Sequence, residues 1–269
     1  PESMGLFHSA SALATVVGAI SGGFLMTAFG IKFLFYIFVI FVIGALSVFP
    51  YLPDHHGISS IRLGVKQLRN RRVFRFEVRD YFRTPGMLVI SFLAFITQFI
   101  SFGALIILPL FSDGIGATYI ETGLIYAVFA LPTIFEAPFS IFTERFERKT
   151  VLIIGGLASV LFLGGAFVSD SITSLFIFTL LMALAFALIN PVIDGTATEL
   201  MPKHKIGELN GVYRSVVLLA ATIGSFIVGP VADKFSIQAP FLLGAVLMGI
   251  FLLTVLFSKL PTALDLKKI

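Results

Sequence analysis

Long apolar runs separated by short polar turns constrain the fold of this chain more than any other feature. A helix needs about 20 largely apolar residues to cross a bilayer, and eight runs of the sequence approach that length. The runs are Gly5–Phe29, Ile31–Phe49, Met87–Phe111, Thr122–Phe142, Val151–Val168, Ser174–Ile193, Val212–Ala232 and Ala239–Phe257. Only 13% of the 269 residues are charged, too few to cover a soluble fold of this size. Because the runs are also longer than barrel strands, the sequence predicts an all-α polytopic membrane protein.

Lys and Arg residues concentrate on alternate loops of this predicted bundle. Sixteen lie in Pro53–Pro85, in the loops after the fourth and sixth runs and in the C-terminal tail. The intervening loops hold only Lys32 and Lys234. Since loops rich in Lys and Arg stay in the cytoplasm, both ends of this chain are expected there. We therefore expect a multi-pass protein of the plasma membrane, which is the inner membrane of a bacterial cell.

An internal repeat relates the first apolar run to the seventh. Glu208–Phe235 matches Glu2–Phe29 without gaps, at a constant shift of 206 positions. The identical residues of the first copy are Glu2, Gly5, Ser9, Leu13, Ala14, Gly18, Gly23 and Phe29. Six runs separate the copies, so one repeat unit holds six helices and both units run in the same direction. Transporters are commonly built from such parallel repeats, with the substrate site between the halves.

This repeat predicts the domain organisation. Residues 1–52 would be the last two helices of an N-terminal six-helix half, and 53–85 a basic cytoplasmic central loop. Residues 86–269 would then form a complete C-terminal half. The expected whole is twelve helices, of which the chain carries eight as a fragment, and the full-length protein is expected to be a monomer.

The loop after the fourth run carries a recognisable signature. Residues 140–149 read Ser-Ile-Phe-Thr-Glu-Arg-Phe-Glu-Arg-Lys and resemble the G-x-L-A-D-R-x-G-R-K loop of the major facilitator superfamily. Glu144 takes the acidic position, while Arg145, Arg148 and Lys149 take basic ones. The resemblance implies a bundle of the major facilitator type covering helices five to twelve, and a part for these four residues in a cytoplasmic gate.

A second motif lies in the first run. Its pattern Ala14-x-x-x-Gly18-Ala19-x-x-Gly22-Gly23 resembles G-x-x-x-G-P-x-x-G-G in the fifth helix of the family's proton-coupled exporters. The resemblance therefore favours bacterial antiporters that exchange drugs or metabolites for protons. Small residues at this spacing also let helix backbones approach closely. The residues expected to act in helix packing or as hinges are Gly18, Gly22, Gly23, Gly224, Gly229 and Pro230.

Polar residues inside the apolar runs are the candidates for coupling and substrate binding. Glu136 lies between Pro132 and Pro138, where a carboxyl group can carry a proton or instead bond to freed backbone groups. Gln98 and Asn190 are further candidates, although an interhelical hydrogen bond is the simpler role for Gln98.

Two charged residues near the cytoplasmic end complete the gate candidates. Asp194 follows Asn190 by one turn, and its simpler role is to cap a helix or dock a loop. Arg214 would reach water by snorkelling, or would join the gate if it met a partner such as Asp194.

These features favour a secondary active transporter that moves a small solute by alternating access, with proton-coupled efflux ahead of the alternatives. One alternative is an uptake permease for sugars or other metabolites on the same fold. The other is a non-transporting membrane receptor or an enzyme. Since the chain has no Cys, no nucleotide-binding loop and no metal or catalytic cluster at membrane depth, we expect no enzyme activity, cofactor, metal site or nucleic-acid partner. The expected partners are the substrate, protons and the lipid bilayer.

Overall fold

Eight α-helices follow the order of the apolar runs in the computed structural model, which describes residues 2–48, 78–135 and 146–258. They are α1 (Glu2–Phe29), α2 (Ile31–Val48), α3 (Met87–Gly114), α4 (Tyr119–Ala130), α5 (Arg148–Phe167), α6 (Ile172–Leu200), α7 (Ile206–Lys234) and α8 (Ala239–Phe257). A helical turn over residues 78–83 precedes α3, and short 3-10 segments cover Leu131–Phe135 and Lys203–Lys205. No strand occurs in these three stretches, so the predicted all-α class is confirmed.

The helix boundaries refine the predicted runs. Helix α6 extends past the expected end at Ile193 to Leu200, and α7 begins at Ile206 rather than at Val212. Hydropathy locates only the part of a helix that lies in hydrocarbon, whereas backbone hydrogen bonds carry the helix further into the polar region. Seven of the described helices are long and apolar enough to span a membrane, and Tyr119–Phe135 is a shorter apolar helix.

Local sequence explains where several helices start and stop. Gly30 and Gly86 adopt positive φ angles of 77° and 81°, which L side chains rarely adopt, and so allow sharp turns before α2 and α3. Thr118 and Glu121 form a reciprocal capping box at the start of α4. In the fourth run, Pro132 follows the end of the α-helix at Ala130, and a 3-10 segment continues to Phe135.

The buried core lies among the helices that follow the central loop. Helix α3 packs along α7, and α5 packs against both α6 and α8. Their apolar side chains form one continuous buried cluster, to which Tyr81 and Ile125 also belong. Helix α1 packs on α4 and on the 3-10 segment that follows it, and α2 contacts α1. Helix α2 buries none of its side chains.

Candidate functional site

A glycine-based crossing joins α1 to α4. A Cβ atom at Gly23 would lie 2.5 Å from the carbonyl oxygen of Tyr119, and one at Gly123 would lie 2.6 Å from that of Ala19. Real Cβ atoms essentially never come so close to another heavy atom, so each glycine makes room for the other helix's backbone. The repeat assigns α1 to the first unit and α4 to the second. This crossing would then be a contact between units.

A second glycine-based crossing joins α3 to α7. The backbone of Phe99 lies against Gly224, so closely that a Cβ at this position would collide with its carbonyl group. Next to it, a Cβ at Gly103 would lie 2.7 Å from a methyl carbon of Val228. The predicted division places both helices in the second unit, so this crossing would lie inside that unit.

The predicted packing glycines divide into two groups. Gly23 and Gly224 lie at the two crossings. In contrast, no described atom lies within 4 Å of a Cβ built at Gly18, Gly22 or Gly229, so their packing role stays a prediction. Helix α7 continues past Pro230 to Lys234, so this proline lies within the last turns of the helix.

A polar network links α6 to α7 at the predicted cytoplasmic end. The buried Tyr213 donates its hydroxyl hydrogen to Asp194 Oδ1 over 2.5 Å. Arg214 Nη2 lies 3.8 Å from Asp194 Oδ2, and its guanidinium group lies 6.0 Å from the centre of the Tyr213 ring. The structure thus brings the predicted pair Asp194 and Arg214 together. It also corrects the expected cap or loop-docking role of Asp194, because this carboxylate bonds to a neighbouring helix well before α6 ends.

The two described basic residues of the signature loop fasten α5 to its neighbours. Arg148 Nη2 contacts both carboxylate oxygens of Glu199 at 2.8 Å and 2.7 Å, which ties the start of α5 to α6. Lys149 donates to the carbonyl oxygen of Leu256 over 2.9 Å, a favourable place for a cation because helix C-termini carry partial negative charge. Both contacts lie inside the second unit. Glu144 and Arg145 lie outside the described residues, so their role in a gate stays a prediction.

An ion pair on the same side connects the segment before α3 with the loop between α6 and α7. Lys205 Nζ lies 2.5 Å from Asp80 Oδ2. The hydrogen bond and the charge of Lys205 lower the pKa of Asp80, and Asp80 in turn raises the pKa of Lys205. The pair therefore contributes stability throughout the neutral range. That contribution is lost when the pH falls through the lowered pKa of Asp80 or rises through the raised pKa of Lys205.

The structure describes two of the three residues predicted to take part in coupling and substrate binding. Gln98 and Asn190 are both half-buried, and the side chain of neither forms a hydrogen bond with another described residue. Glu136 lies outside the described residues, directly after the 3-10 segment that ends at Phe135. The structure therefore leaves all three as predictions.

Sequence reasoning missed several partners in these contacts. Tyr213 aligns with Phe7 of the first copy, and the bond to Asp194 comes from its hydroxyl group, which a phenylalanine lacks. The Tyr126 hydroxyl donates to the carbonyl oxygen of Leu105, which Pro109 leaves without its usual helical donor. A signal for this bond was available, since a proline inside a membrane helix always frees the carbonyl four residues earlier.

Comparisons with known proteins agree with this architecture. The family model of the Major Facilitator Superfamily matches residues 1–140 and 87–268. The chain is thus a polytopic helical membrane protein, and it belongs to the major facilitator superfamily. It is 28% identical over 175 residues to an MFS-type transporter of Methanocaldococcus jannaschii, a match that covers 61% of this chain and 44% of the relative. It is 30% identical over 158 residues to the multi-drug resistance efflux pump PmrA of Streptococcus pneumoniae, which covers 56% of this chain and 39% of the pump. The matched regions thus span less than half the length of these curated relatives.

Proposed function

We propose that this chain is part of a secondary active transporter that exports small hydrophobic compounds by alternating access in exchange for protons. The observation that carries the proposal is the crossing of α1 and α4 at Gly23 and Gly123. Two backbones that meet at paired glycines form a surface on which one helix can tilt against the other. Alternating access requires such a surface between two six-helix units.

The contacts inside the second unit support rigid-body motion. Arg148 fastens α5 to α6, Lys149 fastens α5 to α8, and the crossing at Gly224 fastens α3 to α7. Each of these contacts joins helices of residues 86–269, the predicted C-terminal half. That half would therefore move as one body against α1 and α2.

Export is favoured over uptake by two independent observations. The glycine pattern of α1 resembles that of proton-coupled exporters, and one of the matched relatives is named as a multidrug efflux pump. Export toward the outside also fits the distribution of Lys and Arg, which favours a plasma-membrane protein with both ends of this chain in the cytoplasm.

Glu136 is the proposed proton carrier, with Gln98 and Asn190 as proposed substrate contacts. The α-helix before Glu136 has already changed to a 3-10 segment over Leu131–Phe135, which contains Pro132. A carboxyl group inside hydrocarbon is stabilised in its protonated form, so it can take up a proton on one side and release it on the other.

Dye transport into proteoliposomes tests this function. We expect the reconstituted full-length protein to accumulate ethidium, a lipophilic cation, when the vesicle lumen is acidic, and to stop when an ionophore collapses the pH gradient. Glu136→Gln should abolish the gradient-dependent part of the flux. Glu147→Gln is the matched control, because it removes an exposed carboxylate from the start of α5 and should leave the flux unchanged.

Three results would count against the proposal. Flux that ignores the gradient would exclude proton coupling, and flux only down the proton gradient into the cytoplasm would favour an uptake permease. Normal coupled transport by Glu136→Gln would remove this residue from its proposed role.

A further inference from the structure

A cavity of about 400 Å³ opens where the segment before α3 meets the loop between α6 and α7. Its size falls within the range of small-molecule sites, which begins at about 300 Å³. The lining residues are Asp80, Arg83, Thr84, Pro85, Leu200, Pro202, His204, Lys205 and Leu209. The predicted topology places this cavity at the cytoplasmic surface of the bilayer, just beyond the start of α3.

Two cationic side chains and one carboxylate line the cavity, and the carboxylate of Glu208 lies near Lys205 outside the lining. Lys205 is paired with Asp80, whereas Arg83 forms no ion pair with any described residue. Arg83 is exposed, and it lies near enough to help keep the pKa of Asp80 low. His204 adds an exposed imidazole from the opposite loop. A guanidinium group is well suited to phosphate, because its planar N–H groups match two phosphate oxygens at once.

The remaining wall of the cavity is apolar. Leu200 and Leu209 close it from the ends of α6 and α7, with exposed fractions of only 5% and 1%. Pro85 and Pro202 add apolar rings that have no N–H group to offer a ligand. A fully hydrated ion would gain little from these residues, whereas a headgroup attached to a glycerol backbone and acyl chains can use both walls.

We propose that this cavity binds the phosphate headgroup of an anionic phospholipid from the cytoplasmic leaflet, with Arg83 as the cationic contact and His204 as a hydrogen-bond donor. The cytoplasmic leaflet supplies such lipids at high density, and basic pockets between membrane helices are suited to their headgroups. The Lys205–Asp80 ion pair holds the two walls of the cavity at a fixed separation. The bound lipid thereby joins the end of the predicted central loop, just before α3, to the loop between α6 and α7.

Native mass spectrometry of the full chain in detergent, titrated with phosphatidylglycerol or phosphatidylcholine, tests this site. We expect retention of phosphatidylglycerol in preference to phosphatidylcholine, and a loss of about tenfold in its affinity in Arg83→Gln/His204→Gln. Arg79→Gln is the matched control, because Arg79 is an exposed arginine one turn earlier that does not line the cavity. Arg83→Lys keeps the charge and should retain most of the binding.

Two results would overturn the proposal. The first is equal phosphatidylglycerol binding by the double variant, Arg79→Gln and the unaltered chain. The second is saturation by inorganic phosphate in lipid-free micelles with no displacement by phosphatidylglycerol, which would assign the cavity to a soluble phosphate compound. Because both exchanged side chains are exposed, a folded double variant is expected, and its melting temperature in detergent provides the check.

Discussion

Helices α1 and α7 are two copies of one sequence pattern, yet they use opposite faces of that pattern. In α1 the buried positions are Ala12, Val16 and Gly23, and this face meets α4. The matching positions of α7 are Leu218, Thr222 and Gly229, the first two of which are exposed and the third open.

The other face shows the reverse arrangement. In α7, Ala220 and Gly224 are buried, and this face meets α3. Their counterparts Ala14 and Gly18 in α1 are exposed. The comparison teaches that the repeated helix has two faces that can each pack on another helix; under the predicted division, one interface is to a helix of its own unit and one to a helix of the other unit. In this structure α7 packs on α3 through one face, and α1 packs on α4 through the other.

The largest effect is expected from adding a methyl group at Gly224, the buried member of the aligned pair Gly18 and Gly224. Gly224→Ala should destabilise the protein by about 3 kcal/mol, because the added carbon collides with the Phe99 backbone, which cannot rotate away as a side chain can. Gly18→Ala is the equivalent change in α1 and, in the chain of residues 1–269, should be neutral or stabilising by up to about 1 kcal/mol, since alanine is the better helix former and no described neighbour lies against this glycine. Thermal unfolding in detergent measures both. Equal losses in the two variants would show that the copies do not differ as described.

A smaller effect is expected for the aligned pair Gly23 and Gly229, in which the glycine of α1 is the closely packed one. Gly23→Ala should destabilise the contact between α1 and α4 by about 1–2 kcal/mol, because the new carbon meets the Tyr119 carbonyl group. The loss is smaller than at Gly224 because α1 can shift as a whole and relieve the collision. Gly229→Ala should be tolerated. Limited proteolysis at the central loop reports loosening of α1 and α2, and equal sensitivity of both variants would contradict the two-face assignment.

The smallest effects are expected at Tyr213 and Arg214, where the aligned residues of the first copy, Phe7 and His8, differ in chemistry. Tyr213→Phe places the first copy's Phe7 in the second copy and should cost about 1.5 kcal/mol, since it removes a buried hydrogen bond to the carboxylate of Asp194. Arg214→His makes the same exchange with His8. It should cost less than about 1 kcal/mol, because the ion pair is 3.8 Å long and both side chains are substantially exposed. Thermal unfolding would contradict this ranking if Arg214→His were the more damaging change.

The sequence predicts the positions of the helices better than the contacts between them. Apolar length located all eight helices because hydrocarbon thickness imposes it. The spacing of small residues marked Gly23 and Gly224, since both lie in a repeated pattern. The same reasoning did not find Gly123 or Glu199, because their partners come from helices distant in sequence. Whether a glycine such as Gly18 meets a neighbour depends on which helix packs beside it, and this is a property of the assembled bundle.

The central claim is that α1 and α4 move against each other during transport while α3 and α7 stay fixed. Because these 269 residues contain no Cys, spin labels within them attach only at the cysteines that are introduced. Suitable exposed pairs are Phe24 with Leu124 across the first crossing, and Phe102 with Phe226 across the second. Double electron–electron resonance on the reconstituted full-length protein should show a distance change for Phe24–Leu124 when the pH gradient is imposed, and none for Phe102–Phe226. Equal changes at both pairs, or none at either, would contradict the account.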